Sequence, residues 1–149
     1  MPLGYIVAIG NCNDKRQVVK RMGDVEFYNV VHPWVVMYNR IQLGDGTFIC
    51  PPGVVSTNII IGKHVAINSM CSIGHDVVIG DYCTINAAMV NGNDKIGNGV
   101  YLGSGSVLRE RISIGDNSII GAGAVVVEDI PPNVVAIGVP AKVFRELKN

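Results

Sequence analysis

Charge of one sign is missing from this sequence: 12 Lys and Arg stand against 12 Asp and Glu in 149 residues. A net charge of zero excludes a basic nucleic-acid tract and an acidic solvating tail. Long apolar runs are missing too. Hydrophobic residues make up 48% of the chain, yet no uninterrupted stretch approaches the ~18 residues that a membrane span needs. The opening MPLGYIVAIG has neither a basic n-region nor a long apolar h-region. No secretory signal is read there, and a soluble cytoplasmic protein is expected. Aromatics are scarce, at 6%, which leaves the core to aliphatic side chains. The four cysteines, Cys12, Cys50, Cys71 and Cys83, form no C-x-x-C pair. Free thiols are expected, not a disulfide frame or a zinc site.

Glycine is plentiful, at 18 of 149 against a usual ~7%. Frequent glycine in an aliphatic chain argues against a helix bundle and for many short strands with tight corners. The spacing bears this out. From Leu43, every sixth residue is aliphatic: Leu43, Ile49, Val55, Ile61, Ile67, Ile73, Ile79 and Ile85. One residue then drops out within NAAM, and the series resumes as Val90, Ile96, Leu102, Leu108, Ile114, Ile120 and Val126. Glycine often follows the aliphatic residue. A second inward candidate lies four residues after it, and these are small or apolar except Asp94.

A period of six does not fit a helix, whose apolar face recurs at three and four. It fits an all-β solenoid, a hexapeptide β-helix in which three hexads close one triangular coil. The length then gives about five to six coils, stacked at ~4.8 Å like strands in a sheet. Glycine at a corner is expected because it allows positive φ. The slip in NAAM is expected to shorten one corner or flatten one edge, and such irregularities often sit where a ligand approaches. Cys71 and Cys83 fall on inward positions and read as small buried hydrophobes.

The solenoid needs caps. Upstream, GYIVAIG reads as a strand and NCNDKRQVVKRMG as a helix, with Asn11 or Asn13 as N-cap and Gly23 as stop. DVEFYNVVHPWV reads as a second strand. This makes a small βαβ unit over 1–35, followed by the β-helix over 36–149. After Pro140, AKVFRELKN reads as a short C-terminal helix.

These stretches resemble the hexapeptide-repeat acyltransferases, which fold as left-handed parallel β-helices and carry the [LIV]-G-x4 pattern. Within that group the chain is similar to bacterial sugar O- and N-acetyltransferases of sialic-acid and pilin- or bacillosamine-type glycan pathways. The match rests on IVAIGN, VVHPWV, INSMCSIGHDVVIGDY and IGAGAVVVEDIPPNVVAIGVPAKV. The resemblance implies acetyl-CoA as co-substrate, a small-molecule sugar acceptor, a cytoplasmic homotrimer, and neither metal, nucleic acid nor membrane. Family members begin with a longer nucleotide-sugar domain. This chain starts at what would be its last βαβ, and no G-x-G-x-x-G loop precedes Tyr5. The acceptor and the choice between N- and O-acetylation are left open.

An acetyl-CoA thioester is already activated, so transfer needs a base, oxyanion donors and alignment. His75 matches the family base and Asp76 its acidic partner. A carboxylate beside the imidazole orients it and raises its basicity. A solvated turn pair is the competing reading. Asn68 matches a polar residue near the acceptor, or else satisfies its own corner. Gly10 and Asn13 match positions that touch the nucleotide-sugar, and Asn13 is equally a helix cap. Thr84, Gly92, Ser104 and Ala122 match acetyl-CoA contacts, and each glycine is equally a corner. Lys142 and Arg145 are candidates for the CoA phosphates. His64 reads as surface and His32 as structural. Two other functions compete: a metal hydrolyase using His32, His64 and His75, whose spacing lacks the close histidine pairs expected of one, and a non-catalytic or partner-dependent scaffold.

Overall fold

The computed structural model describes residues 3–148. Met1, Pro2 and Asn149, the outer ends of the two expected spans, lie outside the described residues. Each aliphatic hexad position closes a strand of two or three residues and points into the core, while the residue before it stands on the outer face. Strands pair in parallel with the equivalent strand one coil on, so like stacks on like: Ile49 on Ile67, Ile67 on Ile85, Ile85 on Leu102, Leu102 on Ile120. The hexad residues from Ile49 to Val126 are all buried. Each such side chain contributes ~1.5–3 kcal/mol by leaving water, repeated up the axis. The inward positions between them, including Cys71 and Cys83, join the same cluster.

Three sheets form the prism. Sheet I runs through Val30–Val31, Phe48–Ile49, Ala66–Ile67, Thr84–Ile85, Tyr101–Leu102, Ile119–Ile120 and Val134–Ile137. Sheet II runs through Val35–Met37, Gly53–Val55, Cys71–Ile73, Met89–Val90, Val107–Leu108 and Val125–Val126. Sheet III runs through Ile41–Leu43, Ile59–Ile61, Val78–Ile79, Lys95–Ile96 and Ser113–Ile114. The first rung is Val30–Val31, inside the span expected to belong to the βαβ unit. The slip shortens one I–II corner: Ile85 and Ala88 are separated by residues 86–87, where the coil below has 68–70, because Ser72 pairs with Met89.

The corners correct the expected role of glycine. Positive φ falls on the last corner residue, and it is mostly not glycine: Asn58, Asp76, Asn93 and Arg111 on the II–III edge, and His64, Tyr82 and Asn117 on the III–I edge. The glycine directly after the aliphatic residue is needed for lack of a Cβ. An added Cβ at Gly74 would lie 2.7 Å from the amide nitrogen of Gly92 in the next coil.

Among the described residues the N-terminal unit is one helix, α1 (Cys12–Met22), flanked by a single parallel bridge between Tyr5 and Phe27. Asn11 caps it, its side chain accepting from the amides of Asn13 and Asp14, and Gly23 at φ +66° ends it. The helix lies across sheet I and is anchored by a lysine. Lys15 has no exposed surface, and its ammonium donates to the Cys83 carbonyl and the Thr84 hydroxyl, both at 3.0 Å.

The expected C-terminal helix is a strand. Lys142–Glu146 pairs antiparallel with Val134–Ile137 at the end of sheet I. Helix propensity in AKVFRELKN gives way to an open sheet edge that a strand can cover. No helix among the described residues is long and apolar enough to cross a membrane.

Candidate functional site

The II–III edge carries the His75 corner. The turn after Cys71–Ile73 places Asp76 at φ +59°, beside His75. Imidazole Nδ1 and carboxylate Oδ2 are 2.7 Å apart, with both side chains about half exposed (58% and 42%). The other oxygen, Oδ1, accepts from the Asn58 amide of the preceding coil. The hydrogen bond from Asn58 first, and His75 second, hold the Asp76 carboxyl below its ordinary value. The carboxylate therefore stays ionised, favours the tautomer with hydrogen on Nδ1, and leaves the lone pair on Nε2.

Gly92 forms the floor of this corner. An added Cβ there would lie 2.6 Å from Nε2 and 2.7 Å from Cε1 of His75, so the ring rests directly on the glycine. The Asn93 amide donates to the His75 carbonyl at 2.9 Å. Asn58 escaped the sequence argument. The coil period was the signal for it, since one coil back from Asp76 lands on Asn58.

The remaining candidates divide between two other edges. Asn68, Ser104 and Ala122 lie along the I–II edge. Asn68 Nδ2 donates to Asn86 Oδ1 at 2.7 Å, while Ser104 and Ala122 are exposed one coil apart. Sheet II separates this edge from His75. Gly10 and Asn13 line a cleft of about 790 Å³ over the upper coils of sheet I, together with Arg16, Tyr101 and Asn117. Arg16 donates to Asn117 Oδ1 at 3.2 Å and lies over the Tyr82 ring. Within one chain, His75, the Asn68 edge and this cleft do not meet.

Two expectations are corrected. Thr84 has no exposed surface: α1 covers it and Lys15 binds its hydroxyl, so it offers a ligand nothing while the helix is docked. His64 is buried, stacked on Tyr82 and met edge-on by Phe27, and burial lowers its pKa. His32 accepts from the Trp34 amide through Nδ1. His32, His64 and His75 occupy three different edges of the prism, so they do not come together as ligands of one metal within one chain. Among the described residues no group of three or more His, Cys, Asp or Glu is placed to hold one. Lys142 pairs with Glu128 at 3.0 Å on the surface, and Arg145 is exposed on the last strand.

The bacterial transferase hexapeptide family (six repeats) matches residues 95–127. Among solved structures, a mutant of perosamine N-acetyltransferase from Caulobacter crescentus, in complex with CoA and GDP-perosamine, superposes with a TM-score of 0.91. Identity is 30%, over 95% of this chain and 69% of that one. WeeI from Acinetobacter baumannii AYE gives 0.90 at 32% identity, over 93% of this chain and 69% of that one. The acetyltransferase domain of PglB from Neisseria gonorrhoeae FA1090, solved with acetyl coenzyme A, gives 0.91 at 27% identity, over 95% and 70%. A comparison with curated proteins finds no match.

Proposed function

The chain belongs to the hexapeptide-repeat sugar acetyltransferases, acetyl-CoA-dependent enzymes, and on that premise we propose that it acetylates an amino or hydroxyl group of a nucleotide-linked sugar by direct attack, with His75 as general base. The observation that carries this is the 2.7 Å contact between His75 Nδ1 and Asp76, which leaves Nε2 free to accept a proton. As the acceptor nitrogen or oxygen bonds to the thioester carbonyl carbon, its proton passes to Nε2. The carbon–sulfur bond then breaks, and the proton returns to the departing CoA thiolate. Asp76 offsets the charge on the imidazolium in between. A solvated turn pair would not require the second carboxylate oxygen to be held by Asn58. The similarity to an enzyme solved with GDP-perosamine favours an amino acceptor on a nucleoside-diphosphate sugar.

The cleft lined by Gly10 and Asn13 is our candidate for the acceptor's nucleotide. Residues 1–35 then act as the unit that holds the nucleotide-sugar, and Ser104 and Ala122 flank acetyl-CoA on the I–II edge beside Asn68. Because these edges do not meet in one chain, the site is completed between copies, and a homotrimer is our reading. The outer face of sheet II supports it: Val36, Val54 and Met89 are exposed there between the two edges. Thiol release from acetyl-CoA with GDP-perosamine and a panel of UDP- and TDP-amino sugars tests the proposal, with product masses recorded. Acetylation of one nucleotide sugar upholds it. Acetylation of free amino sugars at equal rates removes the nucleotide from the account, and a monomer in sedimentation removes the shared site.

A further inference from the structure

The inward positions of the prism are small or apolar, with Asp94 as the charged exception. Its carboxylate has no exposed surface, and the proposed chemistry makes no use of it. It sits on the II–III edge in the coil stacked on His75. Oδ2 accepts from the Asn91 amide at 3.0 Å, and Oδ1 accepts from the Ile112 amide of the next coil at 2.8 Å. These bonds hold the turn of residues 91–94 from inside and tie it to the coil beyond. On the outside, the turn is held by Asn91 Nδ2 donating to the Leu108 carbonyl at 2.7 Å and by the Arg111 amide donating to the Gly92 carbonyl at 3.0 Å.

Beside the Asp76 carboxylate, that turn supplies two further contacts to His75, one to its ring and one to its backbone. Gly92 lies against the ring, and the Asn93 amide fixes the His75 carbonyl. An aliphatic residue at 94, like Val77 and Ile112 at equivalent inward positions, would leave the Asn91 and Ile112 amides without their acceptors. A buried unpaired amide costs ~1–3 kcal/mol, and burying a carboxylate is itself costly. A shaped turn at this place accounts for both.

We infer that Asp94 is a positioning residue for His75, acting through the turn of residues 91–94 that sets Gly92 beneath the imidazole. The inference rests on His75 being the base. Burial pushes the Asp94 carboxyl up to about 6, so it is ionised at neutral pH and accepts both bonds. Glu110 bears on it from the next coil, Lys95 adjoins it in the chain, and His75 and Asp76 occupy the coil below.

The test follows the imidazole directly. Side-chain 15N spectra of His75 are titrated in wild type, Asp94→Asn and Gly92→Ala, and kcat and KM are measured alongside. Asp94→Asn should bind acetyl-CoA within ~twofold of wild type with KM unchanged, move the His75 titration, and lower kcat ~10- to 100-fold, as a displacement of ~1 Å does. Gly92→Ala pushes on the ring from the same turn and should move the same titration. If Asp94→Asn does not fold, Gly92→Ala decides alone. His75 curves that superpose on wild type in the folded variants overturn the inference. His75→Ala separates the two failures: wild-type turnover by that variant overturns the base reading, whatever the titrations show.

Discussion

Lys15→Ala should loosen α1 from the solenoid, and Lys15→Met should not. The lysine has no exposed surface, so its methylene stem is packed along its length. At ~0.8 kcal/mol per CH₂ that packing is worth ~3 kcal/mol, and the cavity left by alanine adds to the loss. The ammonium weighs differently. Its two hydrogen bonds, to Cys83 O and Thr84 Oγ1, stabilise the docked helix by ~1.5–3 kcal/mol each. Desolvating the charge costs several kcal/mol in the other direction. In Lys15→Met the Cys83 carbonyl keeps the Ala66 amide as a donor, and the ~1–3 kcal/mol lost at the buried Thr84 hydroxyl is offset by the desolvation cost that the variant no longer carries. Urea midpoints should therefore place Met within ~1 kcal/mol of wild type and Ala ~3 kcal/mol below it, with hydrogen exchange in α1 accelerated only in Ala. Burial lowers the Lys15 pKa, so the unfolded chain binds that proton more readily. Wild-type stability then rises with pH towards ~10.4, a rise that Lys15→Met lacks. A loss under ~1 kcal/mol for Ala, or equal losses for Met and Ala, would refute the packing argument.

Asp76→Asn should lower kcat ~10- to 100-fold with acetyl-CoA affinity unchanged; the half-exposed pair keeps the effect below the ~10⁴ seen for a buried partner carboxylate. Unchanged kcat would remove Asp76 from the chemistry. Asp94 has the opposite linkage to an ordinary surface acid. Its folded value of about 6 exceeds the unfolded ~3.9, so it contributes a fall in stability as pH climbs through that window and none above it. Asp94→Asn should lack this fall, as denaturation from about pH 4 to 7 would show; parallel curves would place Asp94 in contact with water.

The hexad series was legible because one stripe of side chains must enter the core at every corner, and the positions from Ile49 to Val126 all do so. The helix ends were legible from Asn11 and Gly23, which act within their own turns. The last strand was not: AKVFRELKN shows helix formers, and the open edge of Val134–Ile137 that recruits it is formed only after folding. Leu43, which starts the series, is half-buried, and the rungs from Val30 onward precede the strict period and were hidden by it. At the site, His75 and Asp76 are adjacent in the chain and visible to a motif. Asn58 and Gly92 join them from neighbouring coils, and only the coil period connects those residues to the motif. Thr84 and His64 were misplaced for one reason: α1 and Phe27, which cover them, come from a unit whose docking the repeat does not encode.

The most direct test of the account compares acetyl-CoA binding and thiol release in wild type and His75→Ala with a nucleotide-linked amino sugar. The account predicts equal binding by calorimetry and turnover by wild type alone. Equal turnover by both proteins would contradict it.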